Sequence, residues 1–108
     1  MEAEYRKRIQ ETYDQIQSAL GDVDPDLAEC EQSMGSMTIT FGNRTKCILS
    51  AQPSVKQLWV ALAARGTAYH FNYHNESGKW IDDKGRGLDL MGIIKQHIKE
   101  VTGLEIEL

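Results

Sequence analysis

The sequence predicts an α+β fold: a two-layer α-β sandwich in which two helices cover one face of an antiparallel sheet of five to six strands, forming a single domain over residues 1–108. Three observations predict it. Apolar residues recur every three or four positions near both ends of the chain. The period changes to two across the middle, and Gly, Asn, Pro or Ser interrupts that middle at short intervals. Two amphipathic helices flanking a run of hairpin-linked strands bury their apolar stripes together when both lie on one sheet face.

From Glu4 to Leu20 the residues Tyr5, Ile9, Tyr13, Ile16 and Leu20 form one apolar stripe, the signature of an amphipathic helix. At about 100° per residue, Glu4, Glu11 and Asp22 project away from that stripe with Asp14 beside them, although Asp22 falls past Gly21, where the helix ends. Asp24-Pro25-Asp26 is a turn, because Pro presets one backbone angle and Asp favours turn geometry. Short strands are then expected at 28–34, 36–42, 44–50, 56–63, 67–73 and 79–83. In Ser36-Met37-Thr38-Ile39-Thr40-Phe41, apolar side chains alternate with hydroxyls, so one sheet face is buried and the other wet. Gly42-Asn43 predicts a hairpin turn. In the fourth strand Leu58, Val60 and Leu62 point to the core, which places Gln57 and Trp59 on the opposite face. Cross-strand neighbours such as His70 or Arg44 would half-cover that Trp. After Gly85-Arg86-Gly87, the spacing of Leu90, Met91, Ile94, Ile98 and Val101 predicts a second helix ending near Gly103. The alternating tail Leu104-Glu105-Ile106-Glu107-Leu108 is expected to pack its apolar residues along the helix pair.

The formal net charge of −4 conceals an asymmetry. Residues 1–31 hold nine acids against three bases, Arg6, Lys7 and Arg8, whereas the other 77 residues hold seven acids and nine bases. No Lys or Arg occurs between Arg8 and Arg44. Binding to nucleic acid or anionic lipid needs clustered cations, so neither is expected as a partner, and a basic protein or a metal cation is. No apolar run approaches the roughly 20 residues of a membrane span, and no targeting peptide is expected. Cys30 and Cys47 lack zinc-site spacing and read as reduced core thiols.

Enzymatic chemistry finds little footing. His70 and His74 share a strand, where four residues span about 13 Å, too far for one ion. His97 lies in the second helix without an acidic or Cys neighbour at ligand spacing. No nucleophile-base constellation is visible, and Gly85-Arg86-Gly87 lacks the features of a phosphate loop, so no catalytic residue and no organic cofactor is expected. A row of exposed carboxylates can instead hold hard or borderline cations weakly through oxygen. Asp22, Asp24, Asp26, Glu29 and Glu31 place five carboxylates within ten residues, and the same patch would attract a basic protein surface. Gln52, Gln57 and Trp59 form a polar patch centred on an aromatic residue, of the kind that anchors interfaces.

Taken together, Met37-Thr38-Ile39-Thr40-Phe41, Ser50-Ala51-Gln52 leading into Lys56-Gln57-Leu58-Trp59, Tyr69-His70-Phe71, Gly78-Lys79-Trp80 and the closing Leu-Met helix resemble the frataxin family, in particular its bacterial CyaY branch. The resemblance covers nearly the whole chain. It implies an α-β sandwich that binds iron (Fe2+/Fe3+) weakly on exposed acidic residues and acts in iron–sulfur cluster assembly by contacting a cysteine desulfurase and its scaffold protein. Carried over by position, the metal-binding ridge is Glu4, Glu11, Asp22, Asp24, Asp26, Glu29 and Glu31, and the partner-binding face is Gln52, Gln57 and Trp59. Arg6, Lys7 and Arg8 would neutralise the ridge's N-terminal end and leave Asp22 to Glu31 as the metal region. The family commonly carries Asn where this chain has Ser50, and its following Pro sits one residue later than Pro53. A hydroxyl cannot reproduce the two-ended hydrogen bonding of an amide. The resemblance implies a monomer, with iron-dependent oligomers as a further state. The expected compartment is the cytoplasm for a bacterial chain, or the mitochondrial matrix for a processed eukaryotic one. An iron-oxidising activity enters by resemblance alone. The competing expectation is an interaction-only adaptor whose acidic ridge meets a basic partner and holds no physiological metal.

Overall fold

Alternation in the central segment resolves into six consecutive strands, each hydrogen-bonded to the next. The computed structural model describes residues 2–108. Its elements are α1 (Glu2–Ala19), β1 (Ala28–Ser33), β2 (Ser36–Phe41), β3 (Lys46–Gln52), β4 (Gln57–Leu62), β5 (Thr67–His74), β6 (Lys79–Asp82) and α2 (Leu90–Thr102). All neighbouring pairs are antiparallel, in the order β1-β2-β3-β4-β5-β6. Both helices pack on the inner face, against Met37, Ile39, Leu49, Leu58, Val60 and Phe71; Ile9, Tyr13 and Ile16 come from α1, and Ile94 and Ile98 from α2. This is the α+β sandwich that the two periodicities predict.

Two elements move by two residues, and the remaining ends by at most one. The first helix starts at Glu2 rather than Glu4, and its added turn carries a Glu2–Arg6 ion pair of 2.6 Å one turn apart. The third strand runs from Lys46 to Gln52 instead of 44–50. Arg44 has a positive φ of 71°, and Asn43 Oδ1 accepts hydrogen bonds from both the backbone N–H and the hydroxyl of Thr45, so the hairpin loop extends beyond Gly42-Asn43.

Polar tips on buried aromatics tie the layers together. Tyr5 Oη donates to the carbonyl of Gln57 (2.6 Å) and accepts from the N–H of Gln52 (2.9 Å). Tyr13 Oη donates to the carbonyl of Gly35 (3.0 Å). Trp80, on β6, packs edge-on to Tyr5 and Tyr73, with ring centroids 6.2 and 5.2 Å away, and its Nε1 donates to Thr12 Oγ1 of α1 (2.9 Å). Asp82 accepts from Arg86 Nε (2.9 Å) and from the backbone N–H groups of Leu88 and Lys84; the bond from Arg86 does most to hold this carboxyl below its usual range. Asp89 caps α2 by accepting from the N–H of Gly92, and Gly103 closes the helix in a left-handed conformation, where the sequence places its end. Ile106 is buried, and Leu108 lines a groove between α1 and α2, so the tail follows the helix pair.

Cys30 and Cys47 are free thiols on the inner face. Both register against Ile39 on β2, from opposite sides. Two strand spacings separate them, about 9.6 Å, beyond the roughly 7 Å limit for a disulfide. Burial pushes the Cys30 thiol up to about 11 and Cys47 to about 12.

His97 is 2% exposed, stacks edge-on to Phe41 and has no hydrogen-bond partner on either ring nitrogen. Burial lowers its pKa; the field of Glu100 opposes the shift and that of Arg65 adds to it. Protonation therefore favours the unfolded chain, whose imidazole titrates near 6.5. Stability from the neutral ring is complete above that value and is lost as pH falls from about 6.5 through the depressed folded pKa, with a slope approaching about 1.4 kcal/mol per pH unit. Urea unfolding at stepped pH is expected to show this decline, and His97→Leu to remove it.

Candidate functional site

The acidic residues divide into two groups by their surroundings. On α1, Glu2 and Glu4 face Arg6 and Arg8 one turn on, at 2.6 and 3.5 Å, so this end of the ridge is compensated within the helix. Glu11 is exposed beside Arg8 in the groove between the helices. Asp14 accepts from Gln10 Nε2 (2.8 Å) and Gln32 Nε2 (3.2 Å), which links α1 to β1.

The second group lies between α1 and the end of β1. Asp22, Asp24, Asp26, Glu29 and Glu31 are all exposed, and none has an ion-pair partner among the described residues. Asp24 shapes the loop: its carboxylate accepts from the N–H of Asp26 (2.9 Å), and its carbonyl accepts from Leu27 and Ala28. Gly42 makes room for that loop, since a Cβ there would sit 2.4 Å from the Asp26 carbonyl oxygen. Gly42 also donates its N–H to the Leu27 carbonyl (3.1 Å). The β2–β3 hairpin thus seats the acidic loop, a role invisible in the Gly-Asn turn signal.

Strand alternation puts Glu29 and Glu31 on the outer sheet face, opposite Thr40 and Thr38, while Cys30 and Gln32 turn toward α1. The helical and strand acids therefore lie on different layers. Among the described residues, no three His, Cys, Asp or Glu side chains converge as a metal cage.

The outer face also carries the polar patch. Register aligns Ser36, Ser50, Trp59 and His70 across four strands and sets Gln52 opposite Gln57. Trp59 stacks on His70, with centroids 4.2 Å apart and planes at 16°, and its Nε1 donates to Gln57 Oε1 (2.8 Å). Gln57 Nε2 donates in turn to Asp83 Oδ2 (3.1 Å) and Asn72 Oδ1 (3.3 Å), and His70 Nδ1 lies 3.7 Å from Asp83 Oδ2. Gln52 Nε2 approaches Ser50 Oγ at 3.4 Å. Gln57 therefore orients the indole, and of the two candidate covering residues His70 is the one that stacks on it, whereas Arg44 sits in the turn at the far end of β3. Asn72 and Asp83 complete the network. Asn72 could have been found from the β4–β5 register, which brings it opposite Gln57, whereas Asp83 lies beyond any alternation pattern.

No helix among the described residues is long and apolar enough to cross a membrane. A frataxin-like domain family model matches residues 1–104. The iron-sulfur cluster assembly protein CyaY of Tolumonas auensis is 32% identical over 107 residues, covering 99% of this chain and 97% of its own. The protein of the same name from Pseudomonas fluorescens strain SBW25 is 36% identical, with 93% and 91% covered. Among solved structures, a frataxin from Psychromonas ingrahamii superposes with a TM-score of 0.86 at 24% identity over 98% of this chain and 95% of that one. Trimeric yeast frataxin complexed with ferrous iron gives 0.65 at 22%, covering 95% and 86%. With a family match along almost its entire length and relatives above 30% identity, the chain belongs to the frataxin-like family.

Proposed function

We propose that this protein is an accessory factor of iron–sulfur cluster assembly that binds iron weakly on its acidic segment and docks on a cysteine desulfurase and scaffold complex, delivering iron or regulating sulfur transfer. The observation that carries the reading is the run from Asp22 to Glu31, five exposed carboxylates with no ion-pair partner among the described residues. Carboxylates spread over two layers suit a hydrated ion that keeps most of its waters, and iron in this reading is cargo. The names of the CyaY relatives support the pathway. Gln52, Gln57 and Trp59 supply the docking face, and the indole held by Gln57 is its anchor. The reading assigns no catalytic residue. It places a bacterial chain in the cytoplasm, where the thiols of Cys30 and Cys47 stay reduced, and a processed eukaryotic one in the mitochondrial matrix.

Anaerobic ferrous titration followed by amide NMR is expected to broaden Asp22, Asp24, Asp26, Glu29 and Glu31 most, and Glu4, beside Arg8, least. If that segment stays unmoved, the iron reading fails. The second reading, an adaptor that meets a basic partner without physiological metal, draws on the same geometry, since no three candidate ligands converge among the described residues. It is separated by a pull-down with and without iron, and in it docking weakens as salt rises.

A further inference from the structure

The two edges of the sheet are finished differently. Along β6, the segment before α2 closes the edge: the Asp82 N–H donates to the Leu88 carbonyl (2.9 Å), and Ile81 bridges to Asp89. Nothing among the described residues pairs with the other side of β1. Parity along β1 follows from the Gly42 bond to the Leu27 carbonyl, which points into the ladder. In an antiparallel pair, alternate residues exchange both bonds with the partner. Glu29, Glu31 and Ser33 therefore bond to β2, and the backbone N–H and C=O groups of Cys30 and Gln32 point out of the sheet.

We propose that this edge receives an extended basic segment of a partner protein, added as a seventh antiparallel strand. The occupant follows from charge. Glu29 and Glu31 flank the edge on the outer face, Asp14 overlooks it from α1, and Asp24 and Asp26 stand at its beginning, in a stretch with no Lys or Arg. A second copy pairing β1 with β1 would set Glu29 and Glu31 against themselves, and like charges across a pair are unfavourable. In a partner strand, residues beside Glu29 and Glu31 share the outer face and are Lys or Arg, while the alternating residues bond to Cys30 and Gln32. The inference rests on the docking reading above and gives it a shape: backbone bonds supply the affinity and the carboxylates set the register.

The test uses the full chain and a seven-residue capped peptide of alternating Thr and Lys, with a second peptide in which Pro replaces every Thr. Both peptides carry the same charge, but only the first can donate to the open edge. With the Thr peptide, hydrogen exchange at the Cys30 and Gln32 amides is expected to slow by roughly tenfold or more, and that at Glu29 and Glu31, already bonded to β2, to change little. Glu29→Gln with Glu31→Gln, both exposed, is expected to weaken binding roughly threefold to tenfold. Equal binding of the Pro peptide overturns strand addition and leaves charge-driven docking standing. Failure of both peptides at low salt removes docking on this segment as well. Protection that grows with protein concentration without peptide assigns the edge to self-association and overturns the basic occupant.

Discussion

Trp80→Ala is expected to cost about 3–5 kcal/mol, the range for emptying a buried aromatic site, and so a large share of the roughly 5–15 kcal/mol by which a domain of this kind is stable. The indole is 4% exposed and fills the junction of three elements. It touches Tyr5 on α1 and Tyr73 on β5 edge-on, and its N–H is spent on Thr12, whose hydroxyl also reaches the Arg8 carbonyl (2.7 Å). Truncation therefore opens a cavity and leaves a buried hydroxyl with one partner fewer. Chemical denaturation should show a lower midpoint with an unchanged slope. A loss below about 1 kcal/mol, the size expected of surface changes, would mean that the junction collapses to fill the space.

Trp59→Ala is expected to act the other way. The ring is only half-buried, held by one hydrogen bond to Gln57 and one stacked face against His70, so stability should fall by about 1 kcal/mol or less. The proposed docking on a desulfurase and scaffold complex should weaken about 30-fold or more, since truncation of a Trp hot spot costs at least about 2 kcal/mol. Calorimetric titration beside the denaturation experiment separates the two effects. A collapsed fold would assign Trp59 to the core, and unchanged affinity would move the docking face elsewhere.

Much of this architecture is legible from spacing because each element hides one face. Tyr5, Ile9, Tyr13, Ile16 and Leu20 point to a buried stripe, and all five are buried. Leu58, Val60 and Leu62 alternate with Gln57 and Trp59 as a half-wet strand requires. What spacing does not show is contact between elements distant in sequence. The indole of Trp80 reaches Thr12 across 68 positions, and Gln57 reaches Asp83 through a turn with no periodic signal. The left-handed Arg44 is hidden for a related reason: a Gly-Asn pair advertises a tight hairpin, while the Asn43 side chain stabilises a longer one. The acidic residues were all visible, yet their division between a helix face and an outer sheet face depends on strand parity and on the packing of Gly42 against Asp26.

The strictly sequential sheet also bears on how the chain is made. Every strand pairs with the one just synthesised, so hairpins can close in turn at low entropic cost. The helix layer has no such order: α1 precedes all six strands and α2 follows them. A nascent chain emerging from the ribosome can zip its sheet progressively, but the inner face, with Met37, Ile39, Leu49 and Phe71, stays partly bare until Ile94 and Ile98 arrive. The helix that follows the whole sheet thus completes the cover over the core, and the interval before it docks leaves apolar surface open to aggregation.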